Sequence, residues 1–414
     1  MINKLKIKEC RSCYSEKLEP ILSLGNQYIT NFINSKNEQG ERIPLELVLC
    51  ENCNLLQLRH NTPLKLTWND QYWYKSGISS TIRADLKDVS EKSQKIKELR
   101  KGDLMVDIGS NDGTLLDFYD NSIKRIGFEP CKNVAEESKS KGHHVIDNFF
   151  NAKDFRREFG NERAKIITAI SMFYDLDKPN KFLEDIVSCL DNDGLFVIQQ
   201  NYLVKMLEQN AFDNICHEHR EYYSLFTLEN LLRKHGLKVF DVEQNDINGG
   251  SIRTYVRFKD NKKLRGFEGA EDRIRNLLDE EKRMKLDTLK PYQEFASRIS
   301  AIKDKLTGFL KQEKEKGKEI WIYGASTRGN VALQYFGLGP DLITCVADMN
   351  PDKWKKKTVG SLIPITSPEE IRKAQPDYLL VNTWHFFDEI KKQEKEYHNK
   401  GGKFIVALPE FRIV

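Results

Sequence analysis

Hydrophobic positions gather in two stretches where short apolar runs alternate with amphipathic segments. In the first, Leu104–Ile108, 126–129, 145–146, 166–170 and 195–200 read as strands separated by helical patterning. Apolar runs of that length between helical segments predict a parallel sheet with helices on both faces. A strand at 252–258, entered through the turn Asn248-Gly249-Gly250-Ser251, is expected to close this sheet. The second stretch begins at Glu319, where Ile320–Tyr323, 343–348, Tyr378–Val381 and 404–406 predict a second Rossmann-like unit. Between the two, residues 270–318 read as helix interrupted at Pro291. Tyr292, Phe295, Ile299, Ile302, Leu306 and Phe309 form an apolar stripe at helical spacing, expected to pack on its own domains rather than form a dimer seam. A further helix is expected at about 79–100, after the aromatic stretch Tyr72-Trp73-Tyr74.

Composition narrows the class. The 414 residues suffice for two or three domains, each with its own core. Lys+Arg 66 against Asp+Glu 62 leaves +4, with the charges interspersed, so there is no electrostatic case for nucleic acid or an anionic membrane. No apolar run approaches the roughly 18 residues of a membrane span and no signal-peptide core is present, so a soluble cytoplasmic protein is expected. Eight cysteines in that setting read as thiols or metal ligands, not disulfides.

Cys10-x-x-Cys13 is followed by Cys50-x-x-Cys53. Two such pairs can each wrap one side of a tetrahedral ion, and four thiolates make a closed, structural zinc site. The strand Leu104–Ile108 runs into Gly109-Ser-Asn-Asp-Gly113 and an expected amphipathic helix, whose free N–H groups would face a ligand. The glycines let backbone approach that ligand closely. Asp107 sits at the strand's carboxyl end, and Glu129, followed by Pro130, lies 22 residues on, placed to accept from ribose hydroxyls.

The spacing Asp107-x-Gly109-x-Asn111-Asp112-Gly113 lacks the glycine pattern of a dinucleotide fingerprint and any Lys-Ser/Thr of a phosphate loop. It resembles motif I of class I S-adenosylmethionine (SAM) methyltransferases, whose ligand carries a ribose and a sulfonium. Two further stretches sit where that fold would use them. Asn148-Phe149-Phe150 would offer adenine an aromatic face and a polar edge, and Ser171-Met172-Phe173-Tyr174 would lie beneath the sulfonium.

In Ile-Cys216-His217-Glu218-His219-Arg-Glu-Tyr222-Tyr223-Ser the histidines are two apart, so they cannot share a helical face as zinc-protease ligands do. Titratable groups in a row there suggest acid/base work, with the carboxylate orienting an imidazole or raising its pKa. In the second unit, Gly324-Ala-Ser326-Thr327-Arg328-Gly329-Asn330 places hydroxyls, backbone N–H groups and a guanidinium at a helix start, a combination that favours phosphate or pyrophosphate. The full G-x-G-x-x-G is missing, so Asp348 at the second strand's end is weak support for NAD.

Together CxxC…CxxC, the 107–113 loop, ICHEHREYYS, NGGS and YGASTRGN resemble, in order, the three-domain SAM-dependent C-methyltransferases of deoxysugar biosynthesis. The resemblance implies an α/β chain of four parts. Residues 1–70 would be a zinc-binding module, 71–265 a class I methyltransferase domain, 266–318 a helical linker and 319–414 a Rossmann-like nucleotide-sugar-binding domain. It implies methylation of a carbon, often C3, of a nucleotide-linked 4-keto-6-deoxyhexose. His219 would be the base, with Glu218, His217 and Tyr222 beside it. Glu218, Tyr72 and Tyr74 would shape the pocket, joined by Asn201 and Asn248, while Tyr323 and the 324–330 loop would help hold the nucleotide diphosphate. One departure stands out: many members carry Tyr before His-Glu-His, where this chain has Cys216. Sugar O- or N-methylation, RNA methylation and a noncatalytic sugar-nucleotide scaffold are the competing readings. No nucleic-acid or membrane partner is expected, and the chain is read as a monomer.

Overall fold

The computed structural model describes residues 5–70 and 72–414; Gln71, where the central domain was expected to begin, lies outside the described residues. The N-terminal strands are β1 (Leu18–Tyr28), β2 (Arg42–Cys50) and β3 (Leu56–Leu58). They are followed by β4 (Leu104–Ile108), β5 (Lys124–Phe128), β6 (His144–Ile146), β7 (Ala164–Ile170) and β8 (Leu190–Asn201). Then come β9 (Glu221–Tyr222), β10 (Leu237–Asn245) and β11 (Ser251–Phe258).

The central sheet has the order β10-β11-β8-β7-β4-β5-β6, parallel from β6 to β8 and antiparallel at β11 and β10. All five residues of β4 are buried, as expected of a strand covered on both faces. The order reverses between β4 and β7, and at such a switch point the carboxyl ends of the strands splay to leave a ligand crevice. The strand at 251–258 does not close the sheet. It is inserted between β8 and β10, and the edge strand β10 is an element the periodicity did not reveal.

The helix expected after Gly113 does not form. Residues 110–115 are turns, followed by a single 3-10 turn at Leu116–Phe118. Asn111 lies at φ +50 and Gly113 at φ +78, and the Asp112 carboxylate accepts from both the backbone N and the hydroxyl of Thr114, at 3.2 and 2.6 Å. That local bond offers the backbone an alternative to helical pairing.

The 270–318 segment forms two helices, Ala270–Arg283 and Lys290–Glu315. Pro291 lies in the first turn of the second, where its missing N–H removes no bond, so the break falls earlier, at 284–289. The stripe is buried from Tyr292 to Leu306, but Leu310 replaces the half-buried Phe309 at its end. The helical period drifts off a strict repeat.

The C-terminal sheet is built from β12 (Ile320–Tyr323), β13 (Val346–Ala347), β14 (Ile365–Thr366), β15 (Tyr378–Val381), β16 (Lys403–Val406) and β17 (Arg412–Ile413). Its order is β14-β13-β12-β15-β16-β17, parallel except for β17. Its own switch point lies between β12 and β15. There Gly324, at φ +97, leaves room for Thr383, whose hydroxyl would lie 2.6 Å from any Cβ.

The N-terminal module is tied to both other units. Its sheet runs β1-β2-β3-β9, so its last strand comes from the segment immediately after His219. On the other side Phe32–Ile33 pairs with Lys357–Thr358, and Tyr28 N donates to Gln334 Oε1 at 2.8 Å. Among the described residues no helix is long and apolar enough to cross a membrane.

Candidate active site

At the central switch point Asp107, 3% exposed, accepts from the Thr168 hydroxyl at 2.6 Å, and burial pushes its carboxyl up to about 7. Gly109 lies at φ +69 with Met172 so close that a Cβ would stand 3.3 Å from it. Glu129 takes two backbone N–H groups, from Asn111 at 2.9 Å and Cys131 at 2.8 Å, and burial raises its pKa. A carboxylate has about four acceptor sites, so Glu129 retains capacity for a diol.

A small pocket of about 40 Å³ is bounded by Asp107, Gly109, Ser110, Asp85, Tyr74 and Ser171; its lining includes two carboxyls and no Lys or Arg. The Ser110 hydroxyl is buried without a partner. Asp85 is paired with Arg253 at 2.9 Å, while Asp107 is held by the Thr168 hydroxyl. A buried carboxyl beside a glycine loop fits a cationic ligand with a ribose, such as SAM, better than a polyphosphate. The segment 72–79 lies over this loop. Ser76 N donates to Asn111 Oδ1 at 3.0 Å, Gly77 N to Asp112 Oδ2 at 2.8 Å, and Asn111 Nδ2 to Tyr74 O at 3.1 Å.

The stretch expected to meet adenine is split. Phe150 is turned into the core, edge-on to Phe128 and Phe182, because three aromatic rings pack better than one exposed face. Phe149 is exposed, and the Asn148 amide is held by Asp154 at 2.6 Å. Pro130 is half-buried next to Glu129, and Ser171 lies at φ +55 beside Met172.

The His-Glu-His segment divides by direction. His219 Nδ1 lies 2.9 Å from Asn214 O. A carbonyl can only accept, so Nδ1 carries the proton and Nε2 keeps its lone pair. The ring lies 4.3 Å, centroid to centroid, from Tyr174 and lines the main cleft. Burial, and then Arg328, hold its pKa down to about 3. Tyr222 donates to the His219 carbonyl at 3.0 Å, fixing the backbone rather than facing a ligand.

His217 points the other way. It is 1% exposed and donates from Nε2 to Ile43 O of β2 at 3.0 Å. Its place in the N-terminal module corrects the expectation that it stands beside His219 as a second acid/base group. The alternation of an extended segment puts neighbours two apart on one side, but here a turn at 216–219 separates them.

The main cleft, about 330 Å³, runs between the two switch points. One wall carries Tyr72, Tyr174, Asp175, Asn201, Glu218 and His219; the other carries Tyr323, the 324–328 loop, Lys353 and His385. Tyr74 stands 46% exposed at its rim and Asn248 borders both cavities. Burial pushes Glu218 up to about 7.

The cations here are already paired. Arg328, 8% exposed, binds Asp213 at 2.9 Å and Asn248 O at 2.5 Å and lies over Trp384. Lys353 binds Asp348 at 3.2 Å, and Asp348 also accepts from Ala325 N at 2.7 Å, which fills the position an NAD ribose would need. Ser326 caps its own helix, Thr327–Phe336, through Gly329 N at 2.9 Å. Asn330 is buried in that helix, its amide without a partner, and is not among the cleft residues. Asn201 donates to Asn214 Oδ1 at 2.5 Å, and Tyr323 OH to Gln393 at 3.1 Å.

Sequence reading missed Asp175, Lys353 and His385. The first directly follows Ser171-Met172-Phe173-Tyr174 at the end of β7, a position that marks ligand-facing residues in open α/β sheets. His385 and Lys353 carry no local signal.

The four cysteine sulfurs Cys10, Cys13, Cys50 and Cys53 lie within 4.8 Å of one another, with Cys10–Cys53 at 3.6 Å and Cys13–Cys50 at 3.5 Å. Tetrahedral zinc with bonds near 2.3 Å sets sulfurs about 3.8 Å apart, so the donor set fits zinc. Tyr14 and Asn54, at φ +62 and +63, close the two knuckles. Gln57 Nε2 donates to Cys10 Sγ at 3.2 Å while its backbone pairs with Glu221 in β9.

Three families match successive stretches: a zinc binding domain over residues 10–67, a methyltransferase domain over 80–242 and a C-methyltransferase C-terminal domain over 246–409. Across 99% of this chain and 97% of its own length, the C-methyltransferase NovU of Streptomyces niveus is 31% identical. Among solved structures, an S-adenosylmethionine-dependent methyltransferase from Clostridium acetobutylicum aligns over 44% of this chain and 92% of its own, at 15% identity and TM-score 0.35.

Proposed function

The chain belongs to the family of SAM-dependent C-methyltransferases, and from that premise we propose that it methylates a nucleotide-linked 4-keto-6-deoxyhexose at C3. The observation that carries this reading is His219. Its tautomer is fixed by Asn214 O, its free Nε2 belongs to the cleft, and that cleft joins the cofactor switch point to a second α/β unit.

A carbon beside a ketone loses a proton only if the carbanion is delocalised onto oxygen and water is kept out. In this reading Nε2 of His219 takes that proton. A pKa near 3 keeps the imidazole neutral and ready to accept, and the enolate that forms offsets the cost of charging it in place. SAM, held by Asp107, the Gly109–Gly113 loop and Glu129, supplies an electrophilic methyl group when bound. Tyr72 and Tyr74 wall the sugar, and the 324–330 loop with Tyr323 and Lys353 receives the nucleotide diphosphate. Since Arg328 is bound to Asp213, its part is to hold the 213 and 248 loops at the cleft. Four thiolate ligands suit a reducing cytoplasm.

Mass spectrometry of 4-keto-6-deoxyhexoses linked to dTDP, CDP or GDP, incubated with methyl-labelled SAM, tests the reading. A label on C3 is expected. Label on oxygen, on RNA or on no sugar would replace it.

A further inference from the structure

We propose that Asp175 is a second catalytic group, the hydrogen-bond donor to the oxygen that gains negative charge when His219 takes the neighbouring carbon's proton. The inference rests on the keto-sugar reading above.

Asp175 closes the 3-10 turn Phe173–Asp175 at the carboxyl end of β7, immediately after the tyrosine that packs on His219. Its backbone N donates to Met172 O at 3.0 Å, which fixes the turn. The side chain is 7% exposed and lines the main cleft, and its Oδ1 is buried without a hydrogen-bond partner. Glu218, also 7% exposed, lines the same cleft, and its Oε2 has no partner either.

Buried polar atoms are nearly always paired, so two orphaned carboxyl oxygens on one cavity wall indicate a missing oxygen or nitrogen partner. Burial is the main cause that raises Asp175 well above the carboxylate range; Glu218 and Glu221 add to it and Arg220 opposes it. Arg220 is committed to Asp177 and to Thr62 O. The other groups facing Asp175 are Tyr72, Tyr174, Cys216 and Tyr222, all neutral. Burial therefore favours the protonated form of Asp175, which has a proton to offer into the cleft and an oxygen that no protein group pairs. An enolate oxygen is an acceptor for that proton, and a carboxyl kept neutral by an apolar site can serve it.

The atoms balance. The C–H pair moves to the carbon–carbon bond as the carbonyl bond opens onto oxygen, and the proton goes to His219 Nε2. When the carbonyl re-forms, the same pair makes the new bond to the methyl carbon as the methyl–sulfur bond breaks. The Asp175 proton is shared with oxygen throughout and returns unspent.

Two variants test the role on dTDP-4-keto-6-deoxyglucose with SAM. Asp175→Leu removes the donor and should lower kcat about 100- to 1000-fold, with KM and SAM affinity little changed. Asp175→Asn keeps an N–H donor that cannot ionise. It should retain activity within about tenfold of wild type and lose any alkaline fall of kcat. A Leu variant as active as wild type overturns the inference. So does an Asn variant that is as poor as Leu, or that keeps the wild-type alkaline limb; the last reading stands even if Leu fails to fold. Wild-type protein that methylates no nucleotide sugar overturns the substrate reading itself, a different result from an active wild type with indifferent variants.

Discussion

Replacing His217 by Gln separates its role from that of His219. The imidazole is 1% exposed and bonded to Ile43 O at 3.0 Å, and burial holds its pKa to about 4. In the unfolded chain it titrates near 6.5. Between those values the unfolded chain binds a proton that the folded chain does not, so stability falls as pH drops through that window. At pH 5, about 1.5 units below the unfolded value, the loss is roughly 2 kcal/mol relative to pH 7.5. A glutamine amide can reach the same carbonyl and does not titrate. Urea unfolding at pH 7.5 should find the variant less stable by about 1–2 kcal/mol, for imperfect packing and a weaker bond. At pH 5 that deficit should shrink or reverse by roughly 2 kcal/mol, since His219 and the cysteines titrate alike in both proteins. Parallel losses in variant and wild type would refute a neutral, buried His217. Methyl transfer at pH 7.5 should stay within about tenfold of wild type; a loss in the 100- to 10,000-fold range of a general base would return His217 to the chemistry.

Cys50→Ser should lose the roughly one zinc per chain that metal analysis of wild type finds, and lower the melting temperature, because a structural site's binding energy is folding energy. Because β3 pairs with β9, the Glu221 and Tyr222 amides should also lose hydrogen-exchange protection; metal-free protein with unchanged melting and exchange would contradict both statements. Arg328→Ala leaves the 1% exposed Asp213 without its cation and should cost about 3–5 kcal/mol of stability in denaturant unfolding, with Lys restoring only part of it. A loss under about 1 kcal/mol would place the pair in solvent.

The inner strands of the central and C-terminal sheets were legible because they are contiguous apolar runs; the two-residue β14 and β17 at the edges of the C-terminal sheet were not. The zinc ligands were legible because two CxxC knuckles leave few alternatives. The edge strand β10 was not, since Leu-Lys-Val-Phe-Asp-Val-Glu-Gln-Asn mixes charge into its apolar positions. Nor was the two-residue β9, too short for any period, although it ties the zinc module to the His219 segment. The false helix after Gly113 has the opposite cause. Its apolar spacing suits a helix, but the Asp112–Thr114 bonds capture the backbone first. In the cleft, the direction each histidine faces depends on Asn214 O and Ile43 O, partners that only the fold brings near. Asp175 shows the same limit: one carboxyl in a turn carries no pattern, and its significance comes from burial and an oxygen left unpaired.

The most direct test of the account is proton exchange without methyl transfer. In deuterated buffer with S-adenosylhomocysteine in place of SAM, the wild-type protein should exchange the C3 hydrogen of dTDP-4-keto-6-deoxyglucose. His219→Asn should bind both ligands and slow that exchange by about 100- to 10,000-fold. Exchange that survives the substitution undiminished, or a wild type that methylates the sugar without ever exchanging C3, would contradict the assignment of His219 as the base that opens the carbon to methylation.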